Sequence, residues 1–453
     1  MAKTHKKRVA LLVSDQHFIV HGGIGQFIKG FVEMCQRLNW KADVILDKSP
    51  RDKVLAEILE ENGASLKYPM QPATYSKHNG VFAFGDNVNF EKVINFRDSM
   101  MFALEKNLYD LVVCNTPESM TAIHSIAISQ YIPVVFYTHS EYMVFKDKKH
   151  MATTFLPEYH EFFDSHLKFD NVYIGTQTAR NEAELLYEYN AVELGMCMPE
   201  RELLEESTNQ KTGVLYIGRW EERKNPKAYI KAMQECGLPC KVMTNETGKK
   251  KFVNAFDEAG ITDYEIKAGI VGREKVDFIK SCKVHYNPAL RESFGFAWLE
   301  CLSHMPCIAL DTQTWTDNFD QTYFTVVKES EAADTIAKAH NFDHWWGIGA
   351  TEYVKQMDFN AQSQWKEFVN DAKTKQSKTN SASINSHDTV RYDKYIEDLN
   401  RNTVARDDVI SVLANRHKFN VMYTDSNTWL TKETDFVPDE SNNDAPTLEG
   451  FFE

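Results

Sequence analysis

Short runs that are apolar throughout recur along the first half of the chain, each followed by a stretch with helical periodicity. Val9 to Ser14 is the first run, and a helical pattern from Gln26 to Leu38 follows it. Ala42 to Leu46 precedes a predicted helix over Val54 to Asn62, and Ser65 to Pro69 is a further short strand. Leu111 to Cys114, Pro133 to Thr138, Asn171 to Thr176 and Val192 to Leu194 continue the series, with helices predicted over Phe90 to Lys106, Pro117 to Gln130 and Thr178 to Tyr189. Continuous rather than alternating apolar runs are how strands covered on both faces read. Strand and helix in turn predict an α/β domain with a parallel, doubly wound sheet.

The stretch Pro199 to Lys211 is polar and charged and has no strand pattern, so it reads as a linker. The alternation then resumes with strands at Gly213 to Ile217, Cys240 to Thr244, Tyr264 to Ile270, Lys283 to Pro288, Cys307 to Leu310 and Phe324 to Lys328. Two α/β domains are therefore expected, residues 1–198 and 213–372, joined by 199–212. Residues 373–388 are rich in Ser and Asn and predict a polar linker. Residues 389–453 predict C-terminal helices, Thr389 to Asn400 and Arg406 to His417, and an acidic tail. The first of these helices is expected to cross back onto the first domain.

The 453 residues suit two domains of ordinary size, and 43% apolar with 26% charged residues is the balance of a globular enzyme. A formal charge of −14 excludes a protein that coats nucleic acid generally, though not one with a local basic cleft. The basic start, Met1 to Arg8, is followed by an apolar run that Asp15 ends too early for a secretory signal. No apolar run reaches the length of a membrane span. The eight Cys form no C-x-x-C pair and sit mostly in apolar elements, which predicts reduced core thiols and a cytoplasmic protein.

Between the first strand and first helix lies a turn containing Gly22, Gly23 and Gly25. The dinucleotide pattern G-x-G-x-x-G fails because Ile28 stands at the third glycine position, and no Lys-Ser/Thr pair makes it a P-loop. Two readings stay open: a tight turn, or a turn whose missing side chains let a substrate reach the backbone. His139 follows the strand Pro133 to Thr138 directly, where α/β enzymes place site residues. A solvated loop histidine is the alternative.

In the second half, the strand ending at Ile217 runs into Gly218-Arg219, then Lys224, with Pro226 opening the next helix. Arg219 offers planar two-point donation to phosphate oxygens and Lys224 a point charge. One unit later comes the run Arg291-Glu292-Ser293-Phe294-Gly295-Phe296-Ala297-Trp298-Leu299-Glu300. A strand, a loop with Gly and a helix start present backbone N–H groups to an anion. Glu300, inside the helix, can accept hydrogen bonds from two neighbouring hydroxyls. Solvated surface cations and an ordinary amphipathic helix with two exposed glutamates are the alternative.

Glu292-x7-Glu300 around Phe294-Gly295, with Pro306 and Ile308-Ala309 behind it, resembles the signature of family-4 retaining glycosyltransferases of the GT-B fold. The resemblance implies two Rossmann-like doubly wound domains facing a cleft, with a C-terminal helical extension. It implies that Glu292 contacts the donor sugar and that Glu300 holds the ribose of the nucleotide. The backbone of Phe294 and Gly295, with Ser293 beside them, would face sugar and phosphate. Gly218-Arg219 and Lys224 match the diphosphate clamp, and Val271, with Gly272 and Arg273, falls where the nucleobase is held. Gly22, Gly23 and Gly25 would face the cleft, and His139 would contact the sugar from the first domain. Met305 stands where a small residue usually precedes Pro306. The implied reaction is transfer with retention from a nucleoside-diphosphate sugar, a UDP-sugar first of all, without a metal or other cofactor. The absence of any Asp-x-Asp motif argues against the metal-dependent GT-A fold.

The acceptor is less legible. Tyr142 to Phe169 interleaves Phe145, Phe155, Tyr159, Phe162, Phe163 and Phe169 with Lys146, Lys148, Lys149, His150, His160, His166 and Lys168, the make-up of a wall that stacks bases and meets phosphates or of a packed helix with solvated lysines. The Asn-, Lys- and aromatic-rich composition resembles large-phage proteins, some of which glycosylate hydroxymethylated pyrimidines in their own DNA. A polysaccharide or small-molecule acceptor stands beside DNA. Two other classes stay open: a nicotinamide-dependent oxidoreductase, which would use the first glycine turn but none of the second-half residues, and a non-catalytic sugar-binding module.

Overall fold

The described strands form two all-parallel sheets. A computed structural model describes residues 6–70, 90–139, 172–174, 191–205, 211–342 and 349–379, with short breaks at 105–106, 108, 117, 120–121, 124–131, 291, 293 and 312–313. The first sheet contains β1 (Arg8–Val13), β2 (Lys41–Leu46), β3 (Ser65–Lys67), β4 (Leu111–Cys114), β5 (Val134–Thr138), β6 (Val172–Ile174) and β7 (Ala191–Glu193). Its seven strands lie in the order β3-β2-β1-β4-β5-β6-β7. The second sheet contains β8 (Thr212–Ile217), β9 (Cys240–Thr244), β10 (Tyr264–Ala268), β11 (Cys282–Asn287), β12 (Cys307–Leu310) and β13 (Thr325–Val327). Its six strands lie in the order β10-β9-β8-β11-β12-β13.

Both orders reverse once, between β1 and β4 and between β8 and β11, where the strands pair directly and in parallel. At such a reversal the helices following the two central strands leave on opposite faces of the sheet, and a crevice opens outside the carboxyl ends of the strands. The topology alone therefore marks the loops after β1, β4, β8 and β11 as places for a ligand.

The expected strands are all present, within a residue or two at each end. The continuous apolar runs behave as expected: Val9 to Val13 are fully buried, as are Leu111 to Cys114. All eight cysteines are free thiols, and all but Cys236 are buried. The helix Glu246–Ala259 starts where it does because the Asn245 side chain accepts from the Gly248 N–H at 2.7 Å and caps it. The Phe296 helix ends at Leu302.

The end of the second unit differs from expectation. A single helix runs from Ala350 to Thr379, straight through the residue-373 boundary where a polar linker was expected. It returns to the first domain itself: Trp365 is fully buried, its ring 4.9 Å from that of Phe31 and 5.6 Å from that of Tyr137. Its indole N–H donates to the Gly195 carbonyl at 2.9 Å. Asp358 accepts from the Met198 N–H at 2.9 Å and meets Arg37 at 3.5 Å and Arg201 at 3.3 Å. Composition misled because the crossing face carries only a few large apolar residues among polar ones. Residues 389–400, from which the crossing was expected, lie outside the described residues. Among the described residues no helix is long and apolar enough to cross a membrane.

Candidate functional site

The loops after β8 and β11 meet. Tyr216, near the end of β8, donates its hydroxyl to the carbonyls of Lys224 at 3.2 Å and Arg219 at 3.4 Å, folding the loop back on the strand that launches it. Burial pushes the phenol well above its ordinary range, with Glu292 and Glu221 adding to the effect, so it stays a neutral donor. Asn225 takes a left-handed conformation at φ 47° and hands the chain to Pro226, first residue of the helix Pro226–Cys236. From the other side, the Leu290 N–H donates to the Arg223 carbonyl at 2.7 Å and ties the β11 loop to the β8 loop.

These ties bring Lys224 and Glu292 together. The Lys224 ammonium donates to Glu292 Oε1, and the two side chains are only 16% and 10% exposed. Arg219 is more open: its Nη1 lies 3.0 Å from Glu221 Oε1, while Arg223 holds the other oxygen of Glu221 at 2.9 Å. Phe294 is buried, its ring 5.1 Å from Phe296 and 5.4 Å from Phe319, so only its backbone is left for a ligand. Gly295 sits at φ +89°, conformational space that a side chain rarely enters, and opens the helix Phe296–Leu302. Trp298 anchors that helix against Trp315, 5.4 Å away, and Phe324, 5.1 Å away. Ser293 lies outside the described residues.

Glu300 is almost completely buried and is not solvated. Lys275, on the helix Gly272–Lys280, lies 2.6 Å from Glu300 Oε1, and its ammonium is 3.7 Å from Glu200 Oε1. Glu200 in turn lies 2.8 Å from the Lys29 ammonium. An alternating row Lys29–Glu200–Lys275–Glu300 thus runs from the first helix of domain one, through the inter-domain segment, to the carboxylate of domain two. Gln26 Oε1 joins it 3.4 Å from Lys275. Burial acts to lower the Lys275 ammonium, but Glu300 and Glu200 outweigh it and hold it above the ordinary lysine range. Val271, the residue before that helix, packs on the core as a partly buried side chain.

The first domain presents the glycine turn and His139. Gly22 precedes the helix Gly23–Arg37 without a side-chain cap. A Cβ on Gly25 would fall 1.9 Å from the Ile19 carbonyl oxygen, so close packing against the preceding turn requires this glycine. Gly23 has open space where a Cβ would stand. The same turn is pinned by Asp52, whose carboxylate accepts from the Val20 N–H at 2.7 Å while capping the next helix through the Leu55 N–H at 3.0 Å. His21 reaches across to the backbone of Gly269, beside Val271.

His139 follows β5, with Nε2 2.6 Å from Asn115 Oδ1. Asn115 directs its amide N–H to the Leu12 carbonyl at 3.0 Å, which leaves its oxygen as the acceptor and puts the imidazole proton on Nε2. The ring stands edge-on to Phe27, 4.6 Å away. Burial, with His17 nearby, lowers its pKa to about 3, so the ring is a neutral hydrogen-bonding group. The basic and aromatic segment 142–169 lies outside the described residues.

Every described candidate but Glu300, which lies inside the helix Phe296–Leu302, is therefore in a loop or helix start at the carboxyl ends of the strands. Lys224 and Glu292 are in contact, and Arg219 shares their loop. Glu300 is separate from that pair, held by Lys275. Sequence reasoning missed Lys275, Glu200, Lys29, Gln26 and Asn115. Lys29 did carry a signal, as a lone cation between Phe27-Ile28 and Phe31-Val32 on an otherwise apolar helix face. Lys275 carried none, since a lysine in the first turn of a helix is ordinary.

No protein-family model matches the chain, and no curated protein matches it. Solved structures do. Sucrose-phosphate synthase from Thermosynechococcus elongatus superposes with a TM-score of 0.59 at 14% identity, over 81% of this chain and 99% of that one. HepE of Anabaena, solved with UDP-glucose, gives 0.54 at 13% identity over 83% and 100%. An E. coli structure described as trehalose-6-phosphate bound with UDP-2-fluoro glucose gives 0.55 at 9% identity over 81% and 99%. The fold is GT-B. Each of those chains is covered almost completely, and at these identities the likeness is one of fold.

Proposed function

We propose that this chain is a retaining, metal-independent glycosyltransferase that moves a sugar from a nucleoside-diphosphate sugar, UDP-glucose first among candidates, to an acceptor hydroxyl. The observation that carries the reading is the Lys224–Glu292 pair at the reversal between β8 and β11, with Arg219 on the same loop. A cation and a carboxylate in contact are what a leaving diphosphate joined to a hydroxylated ring requires. The sugar nucleotides bound in two of the similar solved structures, UDP-glucose and UDP-2-fluoro glucose, support the choice of nucleotide.

Each group has a task in this reading. Lys224 has three N–H groups and gives one to Glu292, which leaves donors for phosphate oxygens. Arg219, more than half exposed, adds two-point donation. Their charge matters most as the bond from the anomeric carbon to the phosphate oxygen breaks and negative charge grows on that oxygen. Glu292 orients sugar hydroxyls, and Glu300 accepts from the ribose. The backbone around Val271 holds the base, and the backbone of Phe294 and Gly295 borders the phosphate. Gly22, Gly23 and Gly25 with His139 form the opposite wall, where neutral His139, its Nε2–H committed to Asn115, accepts from a hydroxyl through Nδ1. The acceptor oxygen bonds to the anomeric carbon on the face the phosphate leaves. Its proton passes to the departing phosphate oxygen, which preserves configuration.

The test is donor turnover. Purified protein with UDP-glucose in the presence of EDTA should release UDP slowly by hydrolysis and faster with a competent acceptor. Oligosaccharides, small sugars and DNA carrying hydroxymethylcytosine form the acceptor arms. Acceleration by that DNA alone, weakening as salt rises, would favour the base as acceptor. Tight UDP-glucose binding without UDP release under any arm would favour the sugar-binding module. Failure to bind any nucleoside diphosphate would refute the proposal.

A further inference from the structure

The row Lys29–Glu200–Lys275–Glu300 joins two domains through four charged side chains, each at least nine-tenths buried. Removing that many charges from water is costly, and a well-packed apolar junction would give the same or better stability. A purely structural origin therefore leaves its position unexplained, since it ends on a carboxylate beside the reversal point of the second sheet.

The row fixes that carboxylate asymmetrically. Lys275 takes Glu300 Oε1 at 2.6 Å, and among the described residues Oε2 has no hydrogen-bond partner. The Lys275 ammonium also lies 3.7 Å from Glu200 and 3.4 Å from Gln26 of the first domain. One oxygen of Glu300 is thus committed to the junction, and the other is left as an acceptor.

We propose that Lys275 is a positioning residue for the nucleotide: by holding Oε1 of Glu300 it aims Oε2 at the ribose hydroxyls. This rests on the proposed donor site and deepens it. Because Gln26 and, through Glu200, Lys29 belong to the other side of the junction, the aim of Glu300 depends on the two domains keeping this relative position. Ribose recognition and domain closure are therefore one event.

The experiment reads the ratio of dissociation constants for 2′,3′-dideoxy-UDP and UDP by calorimetry. Wild type should favour the ribonucleotide by at least about tenfold, the worth of one hydrogen bond to a charged acceptor. In Lys275→Met the ratio should fall to near one, while affinity for inorganic pyrophosphate stays within about twofold, because the phosphate cations are untouched. Lys275→Arg should restore most of the ratio. Should Lys275→Met fail to fold, the double variant Lys275→Met with Glu200→Gln removes one charge of each sign and is read in the same way. A wild-type ratio near one, with UDP still bound, overturns the inference and leaves the donor site standing. So does a folded position-275 variant that keeps the wild-type ratio. Absence of any UDP binding instead removes the proposed function beneath it.

Discussion

Lys224 and Glu292, 68 positions apart, share a hydrogen-bonded ion pair at the one place where the second sheet reverses its strand order. Neither is on regular strand or α-helix: each is delivered by a loop leaving the carboxyl end of a central strand, and the Leu290 to Arg223 backbone bond locks the two loops together. A polar pair held this way is preorganised, so little reorganisation is needed when charge develops beside it.

Removing either member should therefore affect chemistry more than folding. Glu292→Gln and Lys224→Ala are each expected to lower kcat for UDP-glucose turnover by about a hundredfold or more. Circular dichroism should be unchanged and the melting transition cooperative. Wild-type turnover in either variant would refute the roles assigned to them.

The glycine turn splits into a structural and an open position. Gly25→Ala forces a methyl to within 1.9 Å of the Ile19 carbonyl and should cost about 2 kcal/mol or more in urea unfolding. Gly23→Ala meets nothing within 4 Å, so it should leave stability nearly unchanged. If Gly23 faces the cleft, that methyl raises KM for the donor or acceptor.

Trp365 holds the C-terminal helix onto the first domain. Trp365→Ala should cost about 3–5 kcal/mol, the range for large aromatic truncations in a core. Amide exchange should speed along Ala350–Thr379 ahead of β1 and β8. Uniform loss of protection across both sheets would instead mean that the helix is integral to one folding unit.

Acid should weaken the fold through its buried imidazoles. His285 is fully buried with Nδ1 2.9 Å from the Leu215 carbonyl, and burial lowers its pKa to about 4. The unfolded ring titrates near 6.5, so below that pH the unfolded chain takes up a proton the folded one refuses, and stability falls as pH falls. Compared with His285→Leu, wild type should lose about 2 kcal/mol of urea stability between about pH 7.5 and about pH 5. The paired comparison cancels Glu33, which burial raises to about 7 and which acts in the opposite sense. Parallel pH profiles would contradict the assignment.

Much of the fold could be read from local pattern. Val9 to Val13 and Leu111 to Cys114 are apolar throughout because helices cover both sides of the sheet. Loops bearing Arg219, Lys224 and Glu292 were legible because they follow such runs directly. What the sequence hid is long-range. The crossing helix looked polar because its burial rests on Val354, Ala361, Trp365 and Val369 spread over many turns. Glu300 looked like a free acceptor because nothing local announces Lys275, a residue on another helix. The Gly22–Gly25 turn suggested a ligand surface, whereas Gly25 answers first to the Ile19 carbonyl.

The most direct measurement is calorimetric titration of UDP into wild type and Lys224→Ala, both in EDTA. A cleft built to neutralise a departing diphosphate should bind UDP in wild type and lose at least about tenfold in affinity without Lys224, while uridine binds both proteins alike. UDP binding that is absent, or equally strong in the two proteins, would contradict the account.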